Sequence, residues 1–444
     1  MSAQVEQASD STAVSAPRLT GRGGLVDQAP GAGTRATRPW IDIDRAPNRR
    51  SLAVARPQPW RRAWWAGLAT WAGAATAYFI VNALSGVIDD RPGPAWSEMI
   101  RSWYKWDAGH YVLIAQGGYP EGRLDSPAFF PLYPLVIHGA DRILPGDAVT
   151  AAVVVSNVAC VAALVMLHRF AEAELGERLA GRVLLYLIAW PGAFFLCAGY
   201  NESLFLLFCL ASLYLMRRGR WWYAGALGGL ASATRLAGVL LVVAFLIEYA
   251  RQDGWRPRGW RPWRWRPVGW RLADLRRDTL AVLLVPSGLV GYATYCWFRF
   301  GDPLAFSHAQ AQWGRHLAPP WASLADATSR VFTGGSLHNL FDVITYAAVI
   351  ALLILAMAGR WRLRADQAYL TWYAVTALLV LLSGPVGGLF PLQGSMRYSL
   401  ELVPVFFMLA KLGEHRHFDR LYLLPAVAAQ VVFLLTFFNG VFIA

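Results

Sequence analysis

The stretch AWWAGLATWAGAATAYFIVNALSGV, residues 63–87, decides the fold class. It contains no charged residue, and as a helix rising ~1.5 Å per residue it exceeds the ~30 Å hydrocarbon core of a bilayer. Working outward, comparable apolar runs recur at about 148–167, 182–199, 201–216, 222–233, 236–250, 279–299, 339–358, 367–383, 397–412 and 421–443. The chain is 56% hydrophobic and only 16% charged, against roughly 25% charged in ordinary soluble domains. A soluble core cannot hide that much apolar surface. The sequence predicts an all-α, polytopic transmembrane helical bundle of about 11 segments.

The net charge of +13 is informative by position. Lys/Arg-rich loops mark the cytoplasmic side of a membrane protein. With the N-terminus placed inside, the stretches assigned to the cytoplasm hold most of the 41 basic residues, which include only two lysines, Lys105 and Lys411. Arginine preference of that degree points to a GC-rich genome and a bacterial source. No basic stripe with interleaved stacking aromatics sits on a soluble segment, so nucleic acid is not an expected partner. The run Trp221–Ala250 is too long for one crossing and has Arg-rich loops at both ends. It reads as a hairpin with Thr234 and Arg235 at its outer tip, or as one long tilted helix.

Residues 1–58 are rich in Ala, Gly, Pro, Ser and Arg without apolar periodicity, and read as a disordered cytoplasmic tail. They are not read as a signal peptide, because the first apolar run begins near Ala63 and is long enough to span. The membrane domain covers 59–444. Its external loops fall at about 88–147, with juxtamembrane helices, and at 300–338. Its cytoplasmic loop 251–278 includes GWRPRGWRPWRWRPVGWR, residues 254–271, where Pro257, Pro262 and Pro267 forbid a regular helix and Arg with Trp suits anionic membrane lipids. Cys160, Cys197, Cys209 and Cys296 all fall in apolar segments and read as small buried hydrophobes.

Ionisable groups within or beside spans are costly and are therefore functional candidates. Asp107 and His110 stand three apart, so one helix face would present a carboxylate and an imidazole; a capping Asp and a packed His give the same spacing. Asn201 and Glu202 occupy a short outer turn, where capping explains them equally well. Arg235, deep in an apolar hairpin, demands an anionic partner or water. Arg315 lies in the second external loop, and Gln393, Arg397 and Tyr398 lie at the outer mouth of the tenth segment. Arginines converging beside Asp107 would join an anion site to a base. That arrangement suits attack on a carbon bearing a phosphate leaving group.

The ordered stretches WDAGHYVLIAQGGY, AFFPLYPL, YNESLF, ATRLAGVLL, DPLAFSHAQAQWGR and SMRYSLELVPVFFML resemble PIG-V-like mannosyltransferases over about residues 65–412. That resemblance implies a GT-C type membrane glycosyltransferase. It would use a polyprenyl-phosphate sugar donor, usually of mannose, on the non-cytoplasmic face, and act on a glycolipid or cell-envelope acceptor. It implies Asp107 as the catalytic carboxylate. Carried over, His110 would lie beside the acceptor, Glu202 would line the cavity, and Arg235 and Arg397 would face the donor phosphate. No DxD-like acidic pair stands near Asp107, and no phosphate-binding glycine loop is present, so no metal and no cofactor are expected. The implied localisation is the plasma membrane, multi-pass, with the N-terminus cytoplasmic. The alternative is a transporter or flippase of a lipid-linked sugar, whose expected mark, two halves related by a repeat, is not found in the sequence.

Overall fold

The computed structural model describes residues 60–88, 96–253, 255–256, 266–267, 276–334 and 336–442. The tail 1–58 and nearly all of the Trp/Arg loop lie outside these residues. All described residues fall in one unit, Ala46–Ala444. They are helical except for loops and one two-residue antiparallel ladder, β1 (Trp255–Arg256) with β2 (Arg266–Pro267), pairing Trp255 with Pro267.

Helix α1 (Trp60–Ile88) is the opening stretch. The long loop after α1, read from sequence as external, carries α2 (Trp96–Arg101), α3 (Asp107–Gly117) and α4 (Leu132–Asp141), where short helices were expected. Helix α5 (Ala148–Leu175) begins at Asp147, whose carboxylate accepts the Thr150 N–H at 2.9 Å, an N-cap that satisfies an orphan donor. Helices α1 and α5 cross closely because Gly67 has no side chain; a Cβ there would lie 2.7 Å from Val165 Cγ2.

Helix α6 (Glu177–Ile188) ends well short of the segment 182–199 expected from sequence. Pro191 follows, and neither it nor the residue before it favours helix. The chain instead runs through a buried 3-10 turn, Ala193–Leu196, to Asn201. Irregular backbone at this depth is tolerated because protein covers it.

Helix α7 (Glu202–Arg217) is followed by α8 (Trp221–Thr234). Arg235 is extended, and the chain returns through a 3-10 turn into α9 (Leu241–Gln252). Trp221 at the start of α8 meets Phe245 and Tyr249 of α9 at ring distances of 5.0 and 4.8 Å, so the hairpin closes. The next segment is a 3-10 helix, Arg277–Leu284, bent by 46° into α10 (Ser287–Phe300) at Pro286.

The loop after α10 holds α11 (Ala305–His308) and α12 (Pro320–Gly334). It is followed by α13 (Leu337–Met357), α14 (Ala368–Leu382), α15 (Ser395–Tyr398), α16 (Val403–Leu412) and α17 (Arg416–Phe438). The expected tenth segment is thus two short helical turns leading into α16, with Pro404 in its first turn.

Among the described residues, five helices qualify as spans by length and apolarity, and a sixth if the bent pair is one span. Trp65, Val158, Tyr223, Phe298 and Leu424 are exposed, the surface a bilayer rather than water would cover. All four cysteines are buried thiols.

A buried ion network closes the end of the bundle where α7 finishes. Arg217 meets Glu174 of α5 at 2.8 Å, Glu248 of α9 at 3.3 Å, and Asp366 just before α14. Arg251 holds Glu248 through two hydrogen bonds of 2.7 and 2.6 Å. Tyr369 and Gln367 donate to Glu174 at 3.1 and 3.0 Å.

Candidate active site

The site assembles where α3, α7, the Arg235 tip and α15 meet. Arg397 is the hub. Its Nη1 donates to Asp107 Oδ2 at 2.7 Å, its Nη2 to the Tyr398 hydroxyl at 3.1 Å, and its Nε lies 3.0 Å from Glu202 Oε1. The last is a charge contact off the N–H axis, since neither Arg397 Nε nor Glu202 Oε2 has a hydrogen-bond partner. The guanidinium also lies over the rings of Tyr398, Tyr200 and Phe195, 5.0 to 5.7 Å from their centroids, a geometry in which aromatic faces help hold a cation.

Arg235 follows the same pattern. It pairs with Glu401 and lies 3.5 Å from Glu202 Oε1 and 5.0 Å from the centre of the Tyr398 ring. The hairpin tip that carries it is pinned by Asn201, whose amide donates to the Thr234 carbonyl at 3.0 Å. Arg315 arrives from the loop between α11 and α12 and donates to Tyr398 Oη at 3.3 Å and to the Gly384 carbonyl at 3.2 Å. The Tyr398 hydroxyl thus sits between two guanidinium groups.

Two loops deliver Arg315. The Ala318 N–H donates to the Ser383 carbonyl at 3.0 Å, and Gly314 lies so close to Gly387 that a Cβ on it would be 2.9 Å from Gly387 Cα.

The site therefore gathers three arginines and three carboxylates, Asp107, Glu202 and Glu401, with Arg235 and Arg397 making the ion pairs. Glu202 and Glu401 are buried, whereas the Asp107 side chain keeps 29% exposure. Among the carboxylates it is the one a substrate can reach.

Asp107 opens α3 immediately after Trp106, whose φ of 43° is the only positive value on a non-glycine among the described residues. Conformations of this kind cost roughly 1–3 kcal/mol and persist where surroundings over-determine them. His110 shares the helix with Asp107 but sits in an aromatic slot. It stacks on Phe129 at 4.3 Å and meets Trp313 edge-on at 6.2 Å, with Asp125 3.6 Å away. Burial lowers its pKa against the pull of Asp107 and Asp125, which favours neutral imidazole. Burial alone would raise the Asp125 carboxyl, but the hydrogen bond and charge of Arg123 outweigh it and hold it low. Gln393 lies in the turn before α15, its N–H donating to the Phe390 carbonyl at 3.2 Å.

Of the residues singled out from sequence, the structure brings Asp107, Glu202, Arg235, Arg315, Arg397 and Tyr398 together. Sequence reading missed Glu401, the partner of Arg235, and the trio behind α15. There Ser395 donates to Asp342, and His338 lies 3.4 Å from the same carboxylate. The signal was present, because Glu401 and Asp342 are ionisable groups in apolar runs, the criterion that picked out Arg235. Among the described residues no group of three or more His, Cys, Asp or Glu is placed to hold a metal ion.

Residues 76–252 match the family model described as Mannosyltransferase (PIG-V). Over that stretch the chain is similar to the PIG-V mannosyltransferases. The matched stretch contains Asp107, His110, Glu202 and Arg235 and ends before Arg315 and Arg397. The GPI alpha-1,6-mannosyltransferase 2 of Rattus norvegicus is 31% identical over 240 residues, 50% of this chain and 48% of that one. The Cricetulus griseus protein of the same name is 31% identical over 204 residues, 44% and 40%. GPI mannosyltransferase 2 of Yarrowia lipolytica is 37% identical over 100 residues, 22% and 28%. The chain spans about half the length of the curated relatives it matches, and these relatives are eukaryotic. Among solved structures, ArnT from Cupriavidus metallidurans bound to undecaprenyl phosphate aligns with a TM-score of 0.46 at 14% identity, over 84% of this chain and 76% of that one.

Proposed function

We propose that this PIG-V-like chain is a GT-C type membrane glycosyltransferase that transfers mannose, or another hexose, from a polyprenyl-phosphate donor to a lipid-linked or cell-envelope acceptor. The observation that carries the reading is the hub at Arg397, which joins the reachable carboxylate of Asp107 to a cluster of guanidinium groups around Tyr398. The family match over 76–252 supports the reaction class.

In this reading Asp107 accepts the proton of the acceptor hydroxyl as its oxygen attacks the anomeric carbon. The bond from that carbon to the phosphate oxygen breaks, and the electron pair leaves with the polyprenyl phosphate, which gains one negative charge. Arg315 and Arg397 face that developing charge, where preorganised donors lower the barrier most. A single displacement inverts the anomeric centre. Proton acceptance and charge compensation are both met by side chains, so the proposal includes no metal and no cofactor. We place the site on the external face of the plasma membrane and the N-terminus in the cytoplasm, following the arginine distribution.

The test is transfer of radiolabelled mannose from polyprenyl-phosphate mannose into membrane lipids by wild-type chain and Asp107→Asn at equal expression. Loss of a general base lowers the rate by about 10²–10⁴-fold, and that loss is expected. Equal labelling by both would remove Asp107 as the base.

A further inference from the structure

The backbone of the strained turn at Trp106 is tied down locally, by the Gly109 N–H donated to the Trp106 carbonyl at 2.9 Å and by the Tyr200 hydroxyl donated to the Lys105 carbonyl at 3.0 Å. The Trp106 indole is held from the far end of the chain. Trp106 meets Phe437 edge-on at 5.1 Å and Phe442 edge-on at 5.4 Å. Trp103, on the same loop, meets Phe438 at 5.0 Å and Phe437 at 6.0 Å. Edge-on pairs at these distances are the favoured aromatic geometry.

Phe442 reaches Trp106 because of how α17 ends. The Val441 N–H donates to the Thr436 carbonyl at 3.1 Å and the Gly440 N–H to the Phe437 carbonyl at 3.0 Å, with Gly440 at φ 75°. This is a Schellman termination, in which a left-handed residue after the helix turns the chain back. It sends Phe442 onto the indole while Phe437 holds the ring from the last turn of α17.

We infer that Phe437 and Phe442 are positioning residues for the transfer reaction: they clamp Trp106 in its positive-φ conformation and thereby aim the Asp107 carboxylate. The inference rests on the reading of Asp107 as the base. Without the clamp Trp106 relaxes to negative φ, the first turn of α3 rotates, and Asp107 leaves its bond with Arg397. Arg397 keeps its bond to the Tyr398 hydroxyl, and Arg315 its bonds to that hydroxyl and to the Gly384 carbonyl, so donor binding persists. The signature is a fall in kcat with donor KM unchanged.

The experiment compares full-length Phe442→Ala, Gly440→Ala and Phe442→Tyr with wild type and Asp107→Asn, measuring kcat, donor KM and thermal midpoint in detergent. Phe442 lies beyond the helix, so its truncation spares the core. Phe442→Ala is expected to lower kcat roughly five- to tenfold, the size of one aromatic pair, with donor KM and midpoint unchanged. Phe442→Tyr restores the rate, and Gly440→Ala, strained at its positive φ, mimics the truncation. Wild-type kcat in Phe442→Ala while Asp107→Asn is inactive would overturn the clamp and leave the base standing. A parallel fall in kcat and midpoint, not rescued by Tyr, would make Phe442 a stabilising contact and also overturn the clamp. Full activity in Asp107→Asn would overturn the underlying reading.

Discussion

Arg315 differs from its two neighbours in what it binds. Arg235 and Arg397 direct their charge at carboxylates, whereas the hydrogen bonds of Arg315 go to a carbonyl and a phenol. It therefore has the most to gain from a phosphate. Arg315→Ala should raise donor KM about ten- to a hundredfold, the worth of one charge-assisted hydrogen bond, with a smaller change in kcat. Arg315→Lys should recover only part, since an ammonium cannot reproduce the planar fork. Steady-state kinetics with polyprenyl-phosphate mannose decide it, and an unchanged KM in Arg315→Ala would contradict the assignment. At this scale the sequence was legible where a charge interrupts an apolar run, as at Arg235. At His110 the spacing from Asp107 was legible but the setting of the ring was not, since it stacks on Phe129, a contact created by a loop bend no periodicity reports.

Between elements, backbones approach closely where α8 crosses the bent segment Arg277–Leu284 and the start of α10. A Cβ on Gly288 would overlap the Gly229 carbonyl and the Ala233 nitrogen, and one on Gly225 would overlap the Ala281 carbonyl. Small residues at helix crossings let backbones approach without the hydrophobic drive that water supplies. Gly288→Val should therefore splay the two helices and lower the detergent melting midpoint by the equivalent of about 1–3 kcal/mol or more. Gly291→Val, one turn on, meets open space and should melt like wild type. Equal melting of the two variants would refute the close crossing. Charge alternation had placed α8 and α9 as a hairpin, and the Trp221 contacts bear that out. The break after Ile188 was also written in the sequence, at Pro191, but the apolar residues continue through it to Ala198 and mask it.

For the molecule as a whole, the network around Arg217 secures the end remote from the site. Glu174 and Glu248 are fully buried, so Arg217→Ala would leave buried carboxylates short of a partner at a cost of about 3–5 kcal/mol. The expected outcome is a large fall in melting midpoint and yield, while the folded fraction transfers at the wild-type rate. Normal yield with lost transfer would instead tie this network to the reaction. None of these partners could be paired from sequence, because Glu174, Arg217, Glu248 and Asp366 come from four elements and only the tertiary fold sets them together. The count of spans was equally out of reach, since α6, α7, α8 and α9 are too short to be judged by length.

The matched charges of the site have a further consequence. Three guanidinium groups set against three carboxylates project little field beyond the ~8–10 Å over which salt screens. A substrate anion is not drawn in from afar, as it is toward clefts lined by one sign of charge. For the lipid-linked donor proposed above, capture would come from lateral diffusion along the bilayer and from short-range exchange of partners once it arrives, an encounter that ionic strength barely touches.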